Sequence, residues 1–169
     1  MSTILKLVVF GCILTVATSS PCQLTTYSSR KITGHNGHSI RIDSGFLGSM
    51  QMMHAAARYC NLTVKVTSSF RKQGQPVPGS IVTPATHSNH LVGRAIDMNV
   101  VTPLGWCNSK CLQARKDKYA VCFIDGLKRG GLRWGGDFTK IDPVHLDDNY
   151  YNKFPTSWLE LFKQHQTNC

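Results

Sequence analysis

The sequence predicts an α+β fold: a small, mostly antiparallel sheet flanked by helices. Apolar residues recur at helical spacing at Phe46, Met50, Met53, Ala57 and Cys60, and again at Tyr119, Phe123 and Leu127. They alternate with polar residues at Leu62, Val64 and Val66, and at Ile96, Met98 and Val100, as half-buried strands do. Helical and strand patterns follow one another along the chain without an internal repeat or a low-complexity tract.

At the N-terminus, Lys6 precedes an apolar run over residues 7–17 and the small residues Thr18, Ser19 and Ser20. This is the pattern of a secretory signal peptide over residues 1–19, and it predicts a secreted, extracellular product. The apolar core of about 11 residues is too short for a membrane span, which needs roughly 20, and no later stretch is apolar enough. Residues 20–169 are then expected to form a single domain. Cys12 leaves with the leader. Six cysteines remain (Cys22, Cys60, Cys107, Cys111, Cys122 and Cys169), an even count that predicts three disulfides among 15 connectivities. Asn61-Leu62-Thr63 is an N-glycosylation sequon.

The formal charge is +10, with the basic residues scattered rather than blocked. Such a field favours anionic partners such as bacterial walls or acidic glycans. No recognised nucleic-acid motif accompanies it, so no specific nucleic acid is expected as a partner, and the chain is expected to act as a monomer.

The polar stretch over residues 23–41 reads as irregular or as a short edge element. A helix is expected from Phe46 and a strand through Leu62, Val64 and Val66. A Gly/Pro-rich loop follows over residues 74–84, a length at which loops tend to carry function. The strand through Ile96, Met98 and Val100 buries one face and presents Asp97 on the other. The helix marked by Tyr119, Phe123 and Leu127 ends near Gly130-Gly131, before a short strand over residues 132–134. Val144 and Leu146 flank His145 with strand alternation, which turns His145 to the opposite face. Pro155 and the capping-box pattern Ser157-Trp158-Leu159-Glu160 open a terminal helix through Phe162.

His90, Asp97 and His145 are a nitrogen and oxygen donor set suited to zinc, and three such ligands leave a coordination position open for water. His90 and Asp97 are seven residues apart. On one helix that separation is about 10.5 Å along the axis, too far for a shared metal, and on one strand it places them on opposite faces. They converge only if the chain bends between them, and Gly93 is able to adopt the backbone angles of such a bend. Asp142, three residues before His145, is assigned as general base and then proton donor. The single Glu of the chain, Glu160, is expected in the helix cap, and a helical His-Glu-x-x-His site is absent. His87 is expected to be a surface residue, as are His35 and His38. Cys107 and Cys111 are expected in disulfides rather than in a structural zinc site.

Together, Ser88-x-His90-x-x-Gly93-x-Ala95-x-Asp97 and Asp142-x-x-His145 resemble the signature of the zinc D-alanyl-D-alanine carboxypeptidase and L-alanyl-D-glutamate endopeptidase family, whose fold hedgehog-type signalling domains share. The run over residues 131–138 is similar to the segment before the last zinc histidine in phage endolysin and VanY-like members. Ser68-Ser69-Phe70-Arg71 matches the family's Ser-x-Tyr-Arg stretch with Phe for Tyr. The resemblance implies zinc as cofactor, held by His90, Asp97 and His145, with Asp142 as acid and base, Arg71 stabilising the oxyanion and Ser88 near the substrate backbone. Within the run over residues 131–138, Trp134 is core or pocket wall, and Asp137 either holds the last-strand loop or meets a substrate amine. The implied activity is hydrolysis of an amide in peptidoglycan stem peptides. Asp rather than Glu at position 142 tilts that implication toward the endopeptidase. A carboxypeptidase and a non-catalytic hedgehog-like zinc domain are the alternatives.

Overall fold

The computed structural model describes residues 21–169 apart from Pro78. The signal peptide expected over residues 1–19 lies outside the described residues. No helix among the described residues is long and apolar enough to cross a membrane.

The architecture is α+β. Strands β1 (Leu24–Tyr27) and β3 (Ile40–Asp43) form an antiparallel ribbon. The main sheet has the order β2-β4-β5-β8-β7, from β2 (Ile32–Gly34), β4 (Thr63–Ser68), β5 (Ala95–Thr102), β8 (His145–Asp147) and β7 (Arg133–Trp134). A further strand, β6 (Gly105–Cys107), pairs with β5. The β2–β4 pair is parallel; the others are antiparallel. Among the described residues five α-helices accompany them: α1 (Leu47–Tyr59), α2 (Ser109–Ala114), α3 (Lys118–Arg129), α4 (Tyr150–Lys153) and α5 (Pro155–Asn168).

The expected helices and strands form because their apolar residues share one core. Met50, Met53 and Ala57 of α1 and Phe123, Ile124 and Leu127 of α3 join Val64, Val66, Ile96, Met98 and Val100 of the sheet in a single buried cluster. Burying a side chain such as Phe123 stabilises the fold by about 1.5–3 kcal/mol. Asp117 caps α3 by accepting from the Tyr119 and Ala120 amides at 2.9 and 3.1 Å. Burial along β5 alternates, so Ile96, Met98 and Val100 face the core while Asp97 and Asn99 face away from it.

Two expectations change. The polar 23–41 stretch supplies β1, β2 and the start of β3, because Ile32, Ile40 and Ile42 are buried and find distant partners, Ile32 opposite Val64 among them. Such short strands hold too few apolar residues for alternation to be visible. The terminal helix begins at Pro155, the position where a proline costs no hydrogen bond, and runs through Asn168, so Ser157 and Glu160 lie inside it and form no capping box.

The six cysteines pair as Cys22–Cys169, Cys60–Cys122 and Cys107–Cys111. Asn61 of the sequon is exposed in the turn between α1 and β4.

Candidate metal and active site

Asp97 and His145 are directly opposed on β5 and β8, which sets their side chains next to each other on one face of the sheet. His90 reaches them from a 3₁₀ turn over Asn89–Val92. The turn closes on Gly93 in the left-handed conformation, φ +69°, as the spacing of His90 and Asp97 requires. A Cβ on Gly93 would stand 2.5 Å from the Asp43 amide nitrogen and 2.9 Å from Leu24 Cδ2. The bend therefore needs glycine for space as well as for conformation. On the other side of β5, the register of β4 shifts between Val66 and Ser68, a bulge that brings Ser68 opposite Asp97.

Three donor atoms converge. His90 Nε2 lies 3.1 Å from Asp97 Oδ1 and 3.2 Å from His145 Nδ1, and His145 Nδ1 lies 3.3 Å from Asp97 Oδ1. The outer ring nitrogens are each occupied by an acceptor: His90 Nδ1 is 2.7 Å from the Ser69 carbonyl, and His145 Nε2 is 2.9 Å from Asp147 Oδ2. In the neutral rings those acceptors hold the N–H outward and leave both inner nitrogens as lone pairs facing the Asp97 carboxylate. Three lone pairs so close repel unless a cation lies among them. Tetrahedral ligands at zinc distances of about 2.0–2.1 Å are separated by about 3.3 Å, which matches this triangle. His90, Asp97 and His145 thus fit a zinc ion.

The electrostatics agree with that fit. Burial by itself raises the Asp97 pKa, but when the two rings are protonated the charge on His90 and hydrogen bonds from His145 and His90 outweigh it and hold the carboxyl well below its usual range. Burial disfavours the His145 imidazolium, yet hydrogen bonds to Asp147 and Asp97 push its pKa up to about 9. Asp147 stays ionised despite burial because His145 and Arg133 both hydrogen-bond it. Arg133 does so in two places, Nε to Oδ1 at 2.8 Å and Nη2 to Oδ2 at 2.7 Å. This part of the molecule strongly favours positive charge at its centre.

A cavity of about 670 Å³ opens over the cluster, walled by the 75–85 loop and by Arg71, Ser88, His90, Asp97, Asp142 and His145. Asp142 Oδ1 is buried without a hydrogen-bond partner among the described residues. Burial and the nearby Asp97 raise the Asp142 pKa, against the pull of His145, His90 and Arg71. Arg71 Nη2 donates to Ser88 Oγ at 3.2 Å, and its backbone N–H donates to the His90 carbonyl at 3.3 Å. Burial lowers the Arg71 pKa, with Asp97 and Asp142 opposing, and the guanidinium remains charged.

The turn that presents Asp142 and His145 is fastened from below. The Asp142 amide donates to the Gly135 carbonyl at 2.8 Å and the His145 amide to the Asp142 carbonyl at 3.0 Å. Trp134 Nε1 donates to the Pro143 carbonyl at 2.7 Å. A Cβ at position 135 would collide with the Asp142 carbonyl oxygen, which explains glycine after the tryptophan.

The remaining candidates lie elsewhere. Trp134 is buried in the core and does not line the cavity. Asp137 pairs with Lys128 Nζ at 2.6 Å, also outside the cavity. Phe70 packs edge-on against His165, under the Arg41 guanidinium, away from the cavity wall. His87 is exposed and stacks on Tyr151, with ring centroids 4.7 Å apart. Sequence reasoning missed Asp147, although a residue two places beyond His145 on a strand shares its face. It also missed Gln166 of α5, whose side-chain amide donates to the Arg71 carbonyl at 3.2 Å and the Leu91 carbonyl at 2.8 Å. No local signal marks that residue.

Residues 82–148 match a family model described as D-alanyl-D-alanine carboxypeptidase. No curated protein sequence matches the chain. Among solved structures, the crystal structure of Serratia marcescens L-Ala D-Glu endopeptidase ChiX is similar at 17% identity, over 66% of this chain and 84% of that one, with a TM-score of 0.44. The matched segment carries His90, Asp97, Asp142 and His145.

Proposed function

We propose that this protein is a secreted zinc metallopeptidase that hydrolyses an amide bond in bacterial cell-wall stem peptides, as an L-alanyl-D-glutamate-type endopeptidase. Residues 20–169 are its single peptidase domain, behind the signal peptide. The observation that carries this reading is one cavity lined by three converging metal donors, a carboxylate and a guanidinium.

Zinc held by His90, Asp97 and His145 would supply Lewis-acid chemistry at the amide carbonyl. Asp142, with an oxygen free of protein partners, takes the proton of the attacking water and returns it to the departing nitrogen. Its raised pKa suits both halves of that transfer. Arg71 holds its charge toward the developing oxyanion, kept in place by Ser88 and by the backbone bond to His90. The 75–85 loop encloses the peptide and limits water around the reacting bond. The net charge, +10 for the full chain and +9 once Lys6 leaves with the leader, draws the enzyme to an anionic wall. The three disulfides suit an oxidising, extracellular setting.

Incubation of the purified protein with muropeptides, with and without a chelator, tests this. A new amine that appears only with metal is expected; its absence sinks the proposal. Asp142→Ala should lower turnover by about 10²–10⁴-fold, the range for a general base, while zinc remains bound. The family model's description favours one second reading, a carboxypeptidase releasing terminal D-alanine. Product masses on a defined pentapeptide stem separate the two, since one releases free alanine and the other splits the stem.

A further inference from the structure

The face of the sheet that bears Asp97 continues beyond the cavity. Residues two apart on a strand share a face, and direct cross-strand partners do too. From Asp97 the face therefore runs to Asn99 and Val101 of β5. Lys65 lies opposite Asn99, and Trp106 of β6 lies opposite Val101. Lys65 Nζ donates to Thr33 Oγ1 at 3.0 Å, which holds the ammonium on this surface.

Trp106 is 48% exposed, whereas Trp134 and Trp158 are 4% and 2% exposed. An indole left in water at this level, on the face of a site, is more informative than an exposed aliphatic residue. It is also held firmly. His35 packs against it with ring centroids 5.4 Å apart, and the next residue, Cys107, is buried and bonded to Cys111. Asn108 caps α2 by accepting from the Cys111 amide, and Asn108 and Ser109 line the cavity. The strand bearing Trp106 thus runs directly into the cavity wall.

We propose that Trp106, with Asn99 between it and the metal-donor cluster and Lys65 beside Asn99 on the neighbouring strand β4, is a subsite for a pyranose ring of the glycan to which the stem peptide is attached. The inference rests on the peptidase reading above and names a part of the substrate which that reading leaves open. A pyranose presents a face of C–H groups that stacks on an indole, while its hydroxyl and acetamide groups need donors and acceptors beside the ring. Asn99 offers both and Lys65 offers donors. The spacing suits a linked substrate: four residues of strand separate Asp97 from Val101, about 13 Å. One stem residue, the lactyl ether and the width of one ring cover a span of that order. A free stem peptide has carboxylates and amides for Asn99 and Lys65 but no pyranose C–H face to stack on Trp106.

The test compares zinc-loaded wild type, Trp106→Ala and Trp106→Phe on a free stem tetrapeptide and on the same stem joined to its disaccharide. It also titrates the wild type with peptide-free glycan strands while following tryptophan emission, which reports Trp106 because the other two indoles are buried. The expected result is a saturable emission change, with the ratio of kcat/KM for linked over free stem falling about three- to tenfold in Trp106→Ala, the range for one aromatic stack. The loss should lie in KM, and Trp106→Phe should restore part of the ratio. Equal ratios in wild type and Trp106→Ala, or no emission change with glycan strands, overturn the subsite. If the wild type cleaves neither stem, the peptidase reading fails while the glycan titration still decides whether the subsite exists.

Discussion

His145 is gripped at both ring nitrogens, by the donor cluster at Nδ1 and by Asp147 at Nε2, and Arg133 in turn grips Asp147. This chain of contacts orients the ring and raises its basicity as a ligand. Asp147→Asn should therefore weaken zinc binding by about 10–100-fold, read by competition with a chromophoric chelator. Unchanged affinity would show that the ring is oriented by its strand alone. Gly93 is the second decisive residue. Gly93→Ala forces a side chain into φ +69° and against the Asp43 backbone, a strain of roughly 1–3 kcal/mol before the clash is counted. Urea unfolding should show a loss of at least that size, together with weaker metal binding because His90 rides on the same turn. At this scale the sequence was largely legible: the seven-residue separation of His90 and Asp97 demanded a bend, and a glycine stood where one was needed.

Among the elements, α5 has a role that its own sequence does not announce. Its last turn bonds the segment bearing Arg71: Gln166 Nε2 reaches the Arg71 and Leu91 carbonyls, the Gln166 side-chain oxygen accepts from the Gln73 amide at 2.7 Å, and Lys72 Nζ donates to the Gln166 carbonyl at 2.6 Å. One side chain thus ties Arg71 to the turn that carries His90. Gln166→Ala removes three hydrogen bonds worth about 0.5–1.5 kcal/mol each. Turnover on a muropeptide should fall by about tenfold or more, while zinc affinity stays within about twofold of wild type. Equal kcat in the two proteins would mean that Arg71 is held by Ser88 and the His90 carbonyl alone. Long, strongly periodic elements such as α1, α3 and β5 were readable because apolar spacing dictates which face is buried. β1, β2, α2 and α4 were not, since segments of three to six residues are stabilised by partners from elsewhere in the chain.

Across the molecule, α5 also closes the fold. The Cys22–Cys169 disulfide joins its end to the segment just before β1, and Trp158 packs with Leu91 and Val92 of the His90 turn. His165 sits fully buried in this junction, 3.4 Å from Asp43 Oδ2. Arg94 faces the same place, ion-paired with Asp43 and Asp148 at 2.9 and 3.0 Å, and Lys72 Nζ lies 3.4 Å from the His165 carbonyl. Burial lowers the His165 pKa below its ordinary 6.5 in spite of Asp43. The unfolded chain then binds the proton more readily than the folded one. The stability that neutral His165 allows is complete above pH 6.5 and is lost as pH falls toward the lowered folded value. His165→Gln, which does not titrate, should flatten the slope of urea-unfolding free energy against pH in that window; an unchanged slope would place the acid sensitivity in other groups.

The sequence by itself determined the α+β class, the long elements and the bend at Gly93, and it singled out the candidate donors and carboxylate that the fold brings together, because residue type and short-range spacing carry that information. It also determined that six cysteines would pair. Only the tertiary structure decided which cysteines meet, that Asp97 stands directly across from His145, that Trp134 and Asp137 lie outside the cavity, and that Asp147 holds His145 and Gln166 holds the Arg71 segment in place. Those outcomes depend on strand register and helix docking. Both are fixed by burial of apolar faces that are remote in sequence, so no local window of residues contains them.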